Sequence, residues 1–266
     1  MKSGIIINDN IINQLTSTYN MSVNLSKNAL KKNIDEIINN KDIEIFIKNG
    51  EIDVDWLSDE IFPANEKYDF FISHSHGDIK IIKQFAGYLE RLNFKVFVDS
   101  EVWGSVYNLL RKIDNKICYK SSEKAYSYEK RNDTTSNVFL ILSIALGKVI
   151  QNSKYFIFVN SETSCKKIEG TECTYSPWLS QEVNYFNLIA PQSNFYSQFL
   201  KILTIAESAE LETILWKRKL NINLKYCSTL TYENFREIEK LQEKNERIEK
   251  MNNFLIKNYE KRNYFK

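Results

Sequence analysis

The chain is poor in the residues that break or loosen structure. Only 7 Gly and 3 Pro occur in 266 residues. Long flexible linkers are therefore not expected, and neither is a glycine-rich phosphate loop. Cysteine is also scarce: Cys118, Cys165, Cys173 and Cys227 form no C-x-x-C pair, and His74 and His76 are the only histidines. That set does not supply a zinc site, and the thiols read as reduced and structural. Charge of one sign is lacking too. The 36 basic and 34 acidic residues leave a formal net charge of +2. No global attraction to nucleic acid or membrane follows. The longest apolar stretch, Val138 to Ile150, is interrupted by Ser143, Gly147 and Lys148. It is shorter than the roughly 20 residues a bilayer span needs. The run of isoleucines before Asn8 is too short for the apolar region of a signal peptide. A cytoplasmic protein is expected, with no metal, no nucleic-acid partner and no membrane partner.

Several segments carry a period. Residues 1–62 read as an accessory segment. In it Ser26 caps a helix from about Lys27 to Asn40, Asn49-Gly50 marks a turn, and Trp56, Leu57, Ile61 and Phe62 are candidates for packing. The first clear strand is Tyr68–Ser73, followed by the polar turn His74–Asp78. Ser75 and Asp78 have the spacing of a weak capping box. An amphipathic helix should follow to about Leu92, with Ile79, Ile82, Phe85, Leu89 and Leu92 on one face. Lys95–Val98 is a second strand ending at Asp99, so the run is a βαβ unit with parallel strands.

Beyond it, a short helix is expected from Tyr107 to Asn115 and a longer one from about Ser136 to Gln151. Tyr155–Val159 is uninterrupted and apolar, as a central strand covered on both faces must be. Asn160–Tyr175 reads as a polar loop. Pro177 then starts a helix running to about Leu188. Leu200–Ile205 and Ile222–Tyr226 are strand candidates, and a charged helix should run from Tyr232 to about Tyr259. Its stripe of Ile238, Leu241, Ile248, Met251 and Leu255 suits either packing within the chain or an oligomer seam.

Ligands of open parallel sheets bind beyond the carboxyl ends of the strands. Ser73-His74, Asp99 and Asn160 stand at such ends, and Trp178 and Glu182 lie one helical turn apart on the helix that follows. Three segments together resemble the TIR domain family. They are Tyr68-Asp-Phe-Phe-Ile-Ser-His-Ser75, Val96-Phe-Val-Asp99 and Ser176-Pro-Trp-Leu-Ser-Gln-Glu182, similar to the first strand, the second strand and the W-x-x-x-E helix. Val102-Trp-Gly104, Leu110-Arg-Lys-Ile-Asp-Asn115 and Ser176-Pro-Trp178 resemble more narrowly the bacterial TIR-like proteins of phage defence, such as the TIR component of Thoeris systems.

The resemblance implies a flavodoxin-like open parallel sheet with helices on both faces over residues 63–228, with helical extensions at 1–62 and 229–266. It implies an enzyme that cleaves the nicotinamide–ribose bond of NAD, either hydrolysing it or cyclising the ADP-ribose as a signal, with NAD as substrate and no separate cofactor. Glu182 is the catalytic residue by that likeness. Substrate contacts would come from Ser73, His74, Asp99, Trp103, Arg111 and Asn115. A homo-oligomer formed through TIR–TIR contacts and a downstream effector sensing the product are the implied partners.

The chemistry suits one carboxylate. The bond breaks through an oxocarbenium-like state, which a nearby carboxylate stabilises, and nicotinamide leaves as a neutral group without a strong acid. Plainer readings stand beside these. Glu182 could be a solvated helix-surface residue, Trp178 core packing, His74 a turn residue, Asp99 a cap and Arg111 an ordinary exposed helix residue. A non-catalytic TIR scaffold, or a nucleoside deoxyribosyltransferase-like enzyme on a similar architecture, are the competing functions.

Overall fold

The computed structural model describes residues 3–17, 47–48, 51–52, 67–100, 108, 110–168, 171–190 and 220–264. The expected helix at 27–40, the Asn49-Gly50 turn, the packing residues Trp56 to Phe62, Trp103 and the strand candidate at 200–205 lie outside them. The chain forms two compact units. One comprises Met1–Val23, Tyr68–Val96 and Ser153–Lys266, and the other Asn24–Lys67 and Phe97–Asn152.

The first unit is built on an open parallel sheet. The strands of this sheet are β1 (Ser3–Asn8), β4 (Tyr68–Ser73), β5 (Val96–Val98, of which only Val96 counts with the first unit), β8 (Ser153–Asn160) and β12 (Cys227–Thr229), in the spatial order β12-β1-β8-β4-β5. The α/β class with an open parallel sheet is thus as expected, and the sheet has five strands. The three-strand set β5-β4-β8 has the 2-1-3 order of a flavodoxin-like sheet.

The next position corrects the reading of residues 1–62 as an accessory segment. β1 lies inside the sheet, parallel to β8 on one side and to β12 on the other. Three successive isoleucines hid the two-residue period. In the structure Ile5 and Ile7 are fully buried on one face, whereas Ile6 on the other is half-buried. The C-terminal boundary at 228 is corrected as well. β12 pairs with β1, so the chain beyond residue 226 completes the sheet rather than extending from it.

Alternation along the strands defines two faces. One carries Phe70 and Tyr155, stacked at 5.3 Å, with the Phe94 ring edge-on to Phe70 at 5.0 Å. The helices α1 (Asp9–Thr16), α2 (Ile79–Arg91), α5 (Tyr232–Glu239) and α6 (Lys244–Tyr264) belong to this side. Phe85 of α2 meets Phe235 of α5 at 6.0 Å, and the Tyr155 hydroxyl donates to Asn252 Oδ1 of α6 at 2.7 Å. α2 ends where Asn93 takes a left-handed conformation (φ 62°) that asparagine tolerates.

The single C-terminal helix expected from Tyr232 to Tyr259 is two helices. Thr231 and Asn234 form a reciprocal capping box at the start of α5, and the chain breaks after Glu239. The Arg247 guanidinium then holds the freed Leu241 carbonyl, at 2.6 and 3.0 Å. The break lets Phe235 and Ile238 on α5 and Met251 and Leu255 on α6 all reach the core.

The other face carries Phe71 and Phe156, stacked at 5.7 Å, and Phe186 of α4 (Pro177–Ile189) stacks on Phe156 at 4.6 Å. Two further expectations change here. Asn160–Tyr175 is not a plain loop, since it holds the antiparallel strands β9 (Lys166–Ile168) and β10 (Thr171–Thr174), with β11 (Leu220–Asn221) paired to β10. Ile222–Tyr226 is not a strand. Those residues are irregular between β11 and β12.

The described part of the second unit contains the hairpins β2–β3 (Ile47–Lys48 and Glu51–Ile52) and β6–β7 (Tyr119–Lys120 and Ala125–Tyr126). It also contains a π-helical turn Asp114–Cys118 and the helix α3 (Tyr128–Asn152). α3 starts eight residues before the expected Ser136. It buries Val138, Ile141, Leu142, Ala145, Leu146, Val149 and Ile150 at helical spacing. Over its full length it is long and apolar enough to cross a bilayer by length and composition. Half of its apolar window is buried inside the protein. The buried Asp114 carboxylate organises the turn: Thr134 Oγ1 donates to it at 2.6 Å and Arg131 Nε at 3.1 Å.

Candidate functional site

β4 and β8 are neighbours, while the chain leaves β4 for β5 on the opposite side. Their shared carboxyl end is therefore a topological switch point, where open α/β sheets form crevices. Ser73 and His74 end β4 there, and Asn160 ends β8. Ser73 and His74 are both buried, and His74 Nδ1 lies 3.2 Å from the Ile72 carbonyl. Ser73 Oγ is buried and makes no hydrogen bond among the described residues. A buried hydroxyl left so is costly.

The loops after β4 and β8 are tied together. Asp78, at the start of α2, accepts from Ser161 Oγ at 2.5 Å and from Thr163 Oγ1 at 2.9 Å. Ser164 Oγ donates to the Val159 carbonyl at 2.7 Å and accepts from the Ser161 amide at 2.9 Å, which fixes the exit of β8. The expected capping role of Ser75 and Asp78 is corrected by this arrangement. Asp78 makes no cap through its side chain and spends its carboxylate on the β8 loop instead. The sequence carried a signal, since three hydroxyls in Ser161-Glu-Thr-Ser164 directly follow an apolar strand.

Glu182 sits on α4, whose start follows the expected rule. Ser176 accepts from the Leu179 amide at 3.3 Å, and Pro177 occupies the first turn. The helix packs against β4. Its C-terminal half lies over the amino ends of the strands, where Phe186 covers Gly4 and Asn187 donates to the Asn223 carbonyl at 2.6 Å. One turn back, about 6 Å along the axis, Glu182 falls over the next layer of that face. That layer holds Ile6, Phe158 and Ser73, aligned in register. Glu182 is fully buried, with both carboxylate oxygens enclosed. The alternative of a solvated surface carboxylate is therefore excluded. Trp178 is half-buried at the edge of the helix.

Ser73, His74 and Glu182 belong to the first unit. Asp99, Arg111 and Asn115 belong to the second. Asp99 is buried, and Arg111 and Asn115 are exposed. Asn115 Oδ1 accepts from the Tyr126 hydroxyl. Comparison with family models, with curated proteins and with solved structures found no match.

Proposed function

We propose that the chain is a TIR-type enzyme that cleaves the nicotinamide–ribose bond of NAD, with Glu182 as the catalytic carboxylate. The observation that carries this reading is a fully buried glutamate on α4, the helix that packs against β4 of the parallel sheet. Enclosing a carboxylate costs several kcal/mol of hydration, so such a residue marks a functional site more often than an ornamental one. The W-x-x-x-E resemblance gives that residue its role.

In a site shielded from water a carboxylate acts strongly on nearby positive charge. As the glycosidic bond stretches, charge grows on the ribose, and Glu182 stabilises it and orients the hydroxyls. Ser73, on the same face of the same layer, offers a hydroxyl to the ribose or the carboxylate. Attack by water gives ADP-ribose, and attack by a group of NAD itself gives a cyclic product. Such a product would serve as a signal in antiphage defence, read by a downstream effector, from a cytoplasmic enzyme that assembles through TIR–TIR contacts.

The scaffold alternative leaned on the C-terminal stripe as an oligomer seam. Met251 and Leu255 of that stripe are buried within the fold, so the enzyme reading is preferred. Free nicotinamide and the ribosyl product are to be measured by mass spectrometry after incubation of purified protein with NAD and a phage-derived trigger. Loss of one preorganised electrostatic group costs about 10²–10³ in turnover, and Glu182→Gln should lose at least that. Equal turnover by parent and variant, or cleavage of nucleosides in preference to NAD, would refute the assignment.

A further inference from the structure

The second unit carries, around its β6–β7 hairpin, a surface to which the chemistry proposed for Glu182 assigns no step. The segment from Arg111 to Asp133 holds seven basic and four acidic residues, a surplus of three in 23 residues, whereas the whole chain has a net charge of only +2. One of the four acids, Asp114, is buried and paired with Arg131, which leaves six basic and three acidic residues and the same surplus of three. Lys116, Lys124 and Lys130 are exposed.

Aromatic rings are interleaved with these cations. Tyr119 and Tyr126 are opposite one another across the β6–β7 hairpin, with ring centroids 5.3 Å apart, and each is 44% exposed. Tyr128, two residues further on, is 71% exposed. Tyr126 is held in place from two sides, by its hydroxyl on Asn115 and by the Arg131 guanidinium over its ring at 5.2 Å. Folded proteins seldom leave three large rings so exposed in so short a segment. At the hairpin turn Lys124 adopts a left-handed backbone (φ 48°) that favours glycine or asparagine.

We infer that this hairpin binds single-stranded nucleic acid. Exposed rings offer flat faces on which bases stack without regard to sequence, and flanking lysines track the phosphates. A duplex hides its bases and would meet only the lysines. An anionic membrane fits less well, because the hairpin from Tyr119 to Tyr128 exposes no Leu, Ile, Phe or Trp for insertion. The inference departs from the expectation of no nucleic-acid partner. It is independent of the NAD reading and survives if Glu182 proves inert.

The test is fluorescence anisotropy of the full chain with a labelled oligonucleotide of about 12 residues, as RNA and as DNA, with a duplex of the same length alongside. Saturable binding of the single strand is expected, weaker binding of the duplex, and a log–log salt slope of about −2 from three lysine–phosphate contacts. The pair Tyr119→Ser and Tyr128→Ser should weaken binding about tenfold or more, from two lost stacks, with an unchanged melting curve. Should that pair lower the melting temperature, Lys124→Glu with Lys130→Glu serves instead and should flatten the salt slope by about 1.4. Three results overturn the inference: no saturable binding at low salt, equal binding by a folded variant, or capture by phosphatidylserine vesicles that the oligonucleotide does not displace.

Discussion

Gly4 gives the sharpest test of the fold that positions Glu182. A Cβ added there would lie 2.5 Å from Cys227 Sγ and 2.7 and 2.8 Å from the Phe186 ring. All three distances are below what side chains tolerate, so a neighbour must move. Neither has room. Phe186 is 1% exposed and stacked on Phe156, which stacks on Phe71. Cys227 is fully buried in β12, which pairs with β1. Overpacking of this kind costs about 1–3 kcal/mol. Against it, alanine reduces the entropy of the unfolded chain, a gain of about 0.4–1 kcal/mol. The balance for Gly4→Ala is a loss of about 1–2 kcal/mol. At about 2–4 °C per kcal/mol for chains of this size, the melting temperature falls by about 2–8 °C. Adding Cys227→Ala removes the nearest obstacle. The double variant should therefore regain part of the loss, with a coupling of at least about 0.5 kcal/mol. Thermal unfolding by circular dichroism measures both. If Gly4→Ala is as stable as the parent or more stable, then β1 does not lie beneath α4, and the placement of Glu182 over that face fails with it.

Two further outcomes follow from single contacts. Burial, with a smaller push from Asp69, raises the Tyr155 hydroxyl pKa well above its usual value of 10. The folded state thus keeps a proton that the unfolded chain releases. The stabilisation is complete below about pH 10 and is lost above it, by up to about 1.4 kcal/mol per pH unit until the folded group also titrates. Tyr155→Phe should lose about 1 kcal/mol at neutral pH with the Asn252 hydrogen bond and show a shallower alkaline decline, read by urea unfolding from pH 8 to about 11. An unchanged alkaline slope would count against the burial. Asp78→Ala removes the acceptor of two hydroxyls. A loss of about 1–2 kcal/mol is expected, given the partial exposure of the pair. Amide exchange should quicken in residues 161–165, and unchanged protection there would show that the tie is not made in solution.

The legible parts of the sequence were those where one period dominates. β4, α2, β5, β8 and α4 fall within a few residues of expectation, because Ile79, Ile82, Phe85 and Leu89 keep helical spacing and Tyr155–Val159 is unbroken. The positions of the candidate residues Ser73, His74 and Glu182 were legible for the same reason: the first two stand at the end of β4 and the third lies on α4. Short and non-local features were not. β12 has three residues, and only its pairing with β1, more than two hundred positions away, makes it a strand. The break between α5 and α6 rests on Arg247 capturing a carbonyl, which no local pattern announces. The clasp of Asp78 on Ser161 and Thr163 joins residues 83 and 85 apart.

The placement of β1 changes how the site must be understood. In the 2-1-3-4-5 order, position four would be filled by the strand that follows β8. Here the chain's first strand fills it, and the last strand lies outside it at the edge. β1 enters next to β8 in the same direction, and its carboxyl end delivers Asn8 and Asp9 beside Asn160. A segment that reads as peripheral thus places polar residues at the carboxyl end of the sheet. It also supplies the floor for α4. Phe186 can descend onto Phe156 because residue 4 has no side chain, and Glu182 lies one turn earlier on the same helix. The seating of the helix that carries the carboxylate of the proposed chemistry therefore depends on a glycine 178 positions before that residue. Loss of activity from changes near the N-terminus would be a packing effect transmitted through α4, not the loss of a separate accessory element.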